Sequence, residues 1–256
     1  MSLAKKIVVL ITGANSGIGF ETAIALSQAS ADFHILFGSR SLEKGQKALD
    51  EIYTSHSSSL LGSLSLLQID VTLESSILAA RQDVETKYGK LDVLINNAGI
   101  IVYRPTDTLT RLRETFETNT FAPAIVTEAF LPLLRNSPNP RLIYVSSNQG
   151  SISWIFSFEY FQVKGNEYRM SKAALNMLAA CHKVDFAEWG CKVCAFNPGF
   201  MVTNLTGEEG RARRIQTGAR NAREAADALV DVVQGGRDGD IEKSGIVDLD
   251  GGVIAW

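Results

Sequence analysis

Short apolar runs alternate with longer stretches of helical periodicity along nearly all of this 256-residue chain. Runs at 7–11, 33–37, 64–69, 91–95, 141–145, 192–196 and 245–249 read as strands, being short, nearly continuous in apolar residues and rich in β-branched ones. Between them, 17–28, 41–52, 73–88, 107–134, a stretch through Tyr168 and 222–233 carry helical patterns. Ser41 is placed to cap the second helix, with Glu43 in its first turn, and Pro123 puts an irregularity inside the long fourth one. Strands buried on both sides and separated by helices specify a parallel sheet covered on both faces. The expectation is one α/β domain over residues 1–256, with about seven strands in a doubly wound sheet and no linker dividing it. Residues 55–65 are polar and of low complexity and read as a surface loop.

Composition narrows the partners. With 45% hydrophobic and 21% charged residues the chain is an ordinary globular one, and a net charge of −3 supplies no basic field for nucleic acid. No apolar run is long enough for a membrane span. The amino-terminal run leads directly into Thr-Gly-Ala-Asn-Ser-Gly rather than a cleavage site, so a strand and a cytoplasmic protein are expected. Three cysteines make no disulfide framework; Cys191 and Cys194 read as core residues pointing to opposite faces of a strand. His34, His56 and His182 are scattered without metal-ligand spacing and read as structural or surface residues, so no metal is expected.

Chemistry-bearing residues fall at strand ends. Thr12-Gly13-Ala14-Asn15-Ser16-Gly17-Ile18-Gly19 follows the first strand and opens the first helix. Glycines there permit a tight turn and close backbone approach, and the helix start offers free N–H groups to a pyrophosphate. The second strand ends at Gly38-Ser39-Arg40, with no acid before Glu43 to accept from a ribose. Ser39 and Arg40 suit a 2′-phosphate instead, which favours NADP(H) over NAD(H). Asp70 is placed to accept from an adenine amino group, or to cap the helix that follows; Val71 is placed against the ring. Asn96-Asn97-Ala98-Gly99 allows close approach of a ribose. Tyr168 and Lys172 stand four apart on one helical face, where an ammonium favours the phenolate and suits the phenol to acid/base work near neutrality.

Taken together, these motifs resemble the short-chain dehydrogenase/reductase family, in the family's order and from Lys5 to about Gly252, with Ser146-Ser147 and Asn197-Pro198-Gly199 completing the set. The resemblance implies a Rossmann fold and an NADP(H)-dependent carbonyl reductase. Its catalytic residues are Asn119, Ser147, Tyr168 and Lys172. Its cofactor-binding set is Gly13, Asn15, Ser16, Gly17, Ile18, Gly19, Ser39, Arg40, Asp70, Val71, Asn97, Ala98, Gly99, Tyr168, Lys172, Pro198, Gly199, Met201 and Thr203. By the same resemblance Thr203 contacts the nicotinamide carboxamide or the pyrophosphate, and Asn119 positions a water that relays protons to Lys172. The implied substrate is a small carbonyl or alcohol, and the helix pairing of many members implies a homo-oligomer, dimer or tetramer. Two other readings stay open: an NAD-dependent alcohol dehydrogenase, and a non-catalytic dinucleotide-sensing protein on the same fold.

Three features depart from the usual pattern. Asn15 stands where many NADP-preferring members carry a basic residue. Ser147 and Tyr168 are 21 positions apart, and the extra segment, 151–167, contains Trp154, Phe156, Phe158, Tyr160 and Phe161. It reads either as a substrate-site insertion that favours an apolar or aromatic compound, or as a packed surface excursion that would disturb helix pairing. Residues 204–221 read as a polar, glycine-flanked substrate loop whose Arg211, Arg213 and Arg214 are solvated.

Overall fold

The computed structural model describes residues 6–157 and 165–256. The strands are β1 (Ile7–Ile11), β2 (Phe33–Ser39), β3 (Ser63–Gln68), β4 (Val93–Asn96), β5 (Arg141–Val145), β6 (Lys192–Asn197), β7 (Ile246–Asp248) and β8 (Val253–Ile254). They form one sheet in the order β3-β2-β1-β4-β5-β6-β7-β8, parallel except for the β7–β8 pair. The eighth strand exceeds the expected seven because two residues pairing back across a glycine turn give too short a pattern to read.

The helices are α1 (Gly17–Ala29), α2 (Leu42–His56), α3 (Glu74–Tyr88), α4 (Thr108–Phe116), α5 (Ala122–Arg135), α6 (Ile152–Ile155), α7 (Asn166–Asp185), α8 (Gly207–Gln216), α9 (Ala222–Gln234) and α10 (Asp238–Ile241). Ser41 caps α2 as expected, accepting from Lys44 N at 3.3 Å. The single helix expected over 107–134 is divided into α4 and α5 by a π turn, Glu117–Phe121, just before Pro123. The expected loop over 55–65 is shorter: a 3₁₀ turn covers Ser57–Ser59 and β3 begins at Ser63. Residues 207–216, expected as loop, are helical.

Strand alternation divides the interior. Val9, Ile11, Ile35, Phe37 and Ile95 face α1, α2 and α9, packing on Ile24, Ile52 and Leu229. Val8, Leu10, Leu36, Leu94 and Leu142 face α3, α5 and α7, packing on Val84, Phe130 and Leu175. Each such side chain contributes ~1.5–3 kcal/mol on leaving water. Cys194 joins the first cluster and Cys191 the second, so the pair lies on opposite faces, and burial pushes both thiols up to about 12. His34 is held among Ser63, Ser65 and Tyr88, and His182 by the Tyr144 hydroxyl at 2.6 Å. Among the described residues no helix is long and apolar enough to cross a membrane.

The strand order reverses where β1 lies between β2 and β4. A crevice opens outside the carboxyl ends of the strands at such a point, and the motifs at the ends of β1, β4, β5 and β6 all fall along it.

Candidate active site

The glycine turn is braced from the neighbouring strand. Thr12 Oγ1 accepts from the N–H groups of Asn97 and Ala98, each at 3.0 Å. Asn97 Nδ2 donates back to the carbonyls of Thr12 (2.8 Å) and Gly13 (3.2 Å). The turn leaves no room for side chains: a β-carbon at Gly19 would lie 2.5 Å from Asn97 Nδ2 and 2.8 Å from the Gly13 oxygen. Gly13 and Gly17 take φ of 63° and 59°, a region costly for other residues. Ser16 precedes α1 without capping it by its side chain, so that helix start keeps N–H groups for an anion. This uncapped, glycine-walled cradle fits a dinucleotide pyrophosphate. Thr203 packs against it, about 3.3 Å from where a Gly17 β-carbon would stand. A cavity of about 610 Å³ borders the turn, lined by Asn15, Ser16, Gly17, Thr203 and Arg211 among others.

The other expected cofactor positions are distributed unevenly. Arg40 is exposed at the end of β2, whereas Ser39 is buried with its hydroxyl donated to the Ser41 carbonyl at 2.9 Å. Asp70 Oδ1 accepts from Thr72 N at 3.0 Å and Thr72 Oγ1 at 2.7 Å, closing a turn ahead of α3, and Val71 is half-buried beside it. Ile18 is half-buried on α1. Pro198 is buried, Gly199 is exposed with φ of 76°, and Met201 packs its side chain into the core.

Two of the four catalytic candidates, Asn119 and Lys172, meet at Gly99. A β-carbon there would stand 3.4 Å from Asn119 Oδ1 and 3.8 Å from Lys172 Nζ. Lys172 is 4% exposed, donates to the Val145 carbonyl at 2.9 Å, and holds its ammonium 5.7 Å from the Tyr168 ring centroid. Burial alone lowers its pKa to about 8. Tyr168 is half-buried one helical turn away on the same face of α7. Asn119, fully buried in the π turn, spends its carboxamide on protein. Its Oδ1 accepts from Ile100 N at 2.8 Å, and Nδ2 donates to the Ile100 carbonyl at 3.0 Å and to Ser171 Oγ at 3.1 Å. Ser147 lies two residues past β5 and caps a 3₁₀ turn, its hydroxyl accepting from Gln149 N at 3.1 Å.

Several further residues hold these elements in place. Ser171 donates to the Tyr168 carbonyl at 2.7 Å while receiving Asn119, which ties the π turn to α7. Ser146 donates to Asn176 Oδ1 at 2.5 Å, fixing β5 to the same helix. Gly150 lets the turn after Ser147 lie against α7, for a β-carbon there would meet the Lys172 carbonyl carbon at 2.5 Å and Ala173 N at 2.7 Å. Its signal was a single glycine three places after Ser147.

The insertion is described at its two ends, 151–157 and 165–167. Ser151 caps the short helix α6, accepting from Trp154 N at 3.0 Å, and Ser153 N donates to the Trp256 carbonyl at 3.1 Å. Phe156 is 81% exposed. Phe158, Tyr160 and Phe161 lie outside the described residues. In the 204–221 segment, Arg211 and Arg213 are exposed as expected, but Arg214 is half-buried, because α8 turns it inward against Phe200.

Known proteins resemble this chain in sequence and fold. The family model for short chain dehydrogenases matches residues 7–214. The short-chain dehydrogenase anuI of Penicillium roqueforti is 39% identical over 230 residues, covering 86% of this chain and 88% of its own. The short-chain dehydrogenase/reductase tropE of Talaromyces stipitatus is 32% identical over 99% of both chains. Among solved structures, NADPH-bound carbonyl reductase from chicken fatty liver superposes with a TM-score of 0.77 at 28% identity, over 98% of this chain and 100% of that one. The crevice at the β1–β4 reversal, its glycine cradle and these matches have one source: the chain belongs to the short-chain dehydrogenase/reductase family of oxidoreductases.

Proposed function

We propose that this protein moves a hydride between NADP(H) and a carbonyl/alcohol pair, with Tyr168 as the general acid/base. The observation that carries the proposal is the meeting of Asn119 and Lys172 at Gly99, with the Lys172 ammonium 5.7 Å from the Tyr168 ring centroid, beside a cradle shaped for a dinucleotide. The nicotinamide supplies the hydride chemistry; the protein aligns, polarises and moves the proton. Gly13, Ser16, Gly17 and Gly19 would hold the pyrophosphate, and Arg40 the 2′-phosphate. Ser147, just past β5, donates to the substrate oxygen and orients it, and Tyr168 gives that oxygen its proton during reduction or takes it during oxidation.

Lys172 holds a positive charge against the Tyr168 ring and reaches a cofactor ribose from the same position. The Asn119 carboxamide is committed to Ile100 and Ser171, so a water relay to Lys172 uses its main-chain carbonyl. Position 123, four residues on, is proline and offers no α-helical N–H to that carbonyl.

A panel of aromatic and aliphatic ketones and aldehydes, offered with NADPH and NADH, tests the reading. NADPH-dependent consumption of at least one carbonyl is expected. Tight NADPH binding with no oxidation across the panel would instead support a dinucleotide-sensing protein.

A further inference from the structure

Arg214 is the basic side chain that the fold draws inward over the site. It lies on α8, half-buried, with its guanidinium 5.1 Å from the Phe200 ring centroid. Nη1 donates to the Met201 carbonyl at 3.1 Å, and Nε makes a long 3.4 Å contact to Thr206 Oγ1. Those anchors lie on the segment after β6. The guanidinium is also within electrostatic reach of Tyr168, on α7, and of Tyr103, on the stretch after β4. Groups on the segments after β4 and β6 and on the catalytic helix thus lie within reach of one cation.

No carboxylate among the described residues pairs with it. Other inward arginines are neutralised: Arg141 by Asp238, Arg237 by Asp240 and Arg111 by Glu167. A guanidinium taken partly out of water gains most from a bidentate anion, and two contacts leave most of its five N–H donors for one. The Phe200 ring lies against the guanidinium, and an aromatic face there suits an aryl body bearing a charged group.

We propose that Arg214 is a specificity residue that receives an anionic oxygen group, a carboxylate or ionised phenol, on an aromatic carbonyl substrate whose reacting carbon faces Tyr168. The assignment rests on the carbonyl-reductase reading for the position of the substrate, but the anion subsite is measurable without turnover. Burial lowers the guanidinium pKa from its ordinary value, though such a group stays protonated throughout the neutral range.

The test uses aromatic ketones of one, two and three rings, each as the free carboxylate and as its methyl ester, with the hydroxyl analogues at two pH values as a second arm. Equilibrium binding is measured to the full chain saturated with NADP⁺, in wild type, Arg214→Gln and Arg214→Lys. At least one acid is expected to bind roughly tenfold more tightly than its ester. Arg214→Gln brings the acid-to-ester ratio to within about twofold, and Arg214→Lys retains part of it. A preference confined to the phenolate form in the second arm would assign the phenol as the anion, and one confined to the acids the carboxylate. Equal binding by wild type in both arms, of every acid and its ester and of each phenol and its phenolate, overturns the proposal, as does a preference that survives in Arg214→Gln. Arg214-dependent binding without reduction of any ketone would contradict the oxidoreductase reading and leave the subsite standing.

Discussion

Lys172 carries an ammonium into a nearly dry position whose described acceptor is the Val145 carbonyl. Burial sets its folded pKa near 8, below the ordinary 10.5, so between those values the unfolded chain binds the extra proton. The penalty is fully present below pH 8 and is lifted as pH rises toward 10.5. In the cofactor-free protein, wild-type stability relative to Lys172→Met is therefore expected to climb over that window, by up to about 3 kcal/mol. Denaturant titrations of both proteins at stepped pH check this; a difference that stays flat or falls contradicts it. At β2, Arg40→Ala is expected to weaken NADPH about tenfold or more while NADH is little affected, since only one cofactor has a 2′-phosphate. Equal losses in binding titrations would remove Arg40 from that role. Tyr168 and Lys172 were legible because a four-residue spacing is itself geometry on a helix. Arg214 was not, since nothing in a run of three nearby arginines tells which one a helix will turn inward.

The elements around these residues are placed by contacts that sequence periodicity does not encode. Pro123 announced an irregularity in the long fourth helix, and the π turn appears just before it, carrying the buried Asn119. Its tie to α7 runs through Ser171, and an interior helical serine gives no sign of such a role. Gly150 is similar, needed for space rather than for backbone freedom, because α7 passes within 2.5 Å of its missing β-carbon. Gly150→Ala is expected to push the turn bearing Ser147 away from α7, costing roughly 1–3 kcal/mol and lowering turnover more than NADPH affinity. Thermal unfolding with steady-state kinetics decides it; unchanged stability and turnover would mean the two elements are not packed as tightly as described.

Across the whole molecule, the alternation that gave the sheet also determined where binding and chemistry occur. β1 and β4 meet at the reversal of strand order, and the glycine turn and Asn97 brace each other across it. The proposed acid/base group, Tyr168, comes from the other half, on α7 beyond β5. The sheet and the crevice were legible because strands at buried positions are nearly continuous in apolar residues. β8 and α8 were not: one is two residues long, and the other reads as polar loop until it packs over Phe200. A fold that separates the glycine cradle from the proposed proton donor permits one to be altered without the other. Tyr168→Phe tests this most directly, by measuring kcat and NADPH dissociation on the same preparation with a carbonyl that the wild type reduces. The account predicts that kcat falls by about a hundredfold or more while NADPH affinity stays within about twofold. Near-wild-type turnover in that variant would contradict it.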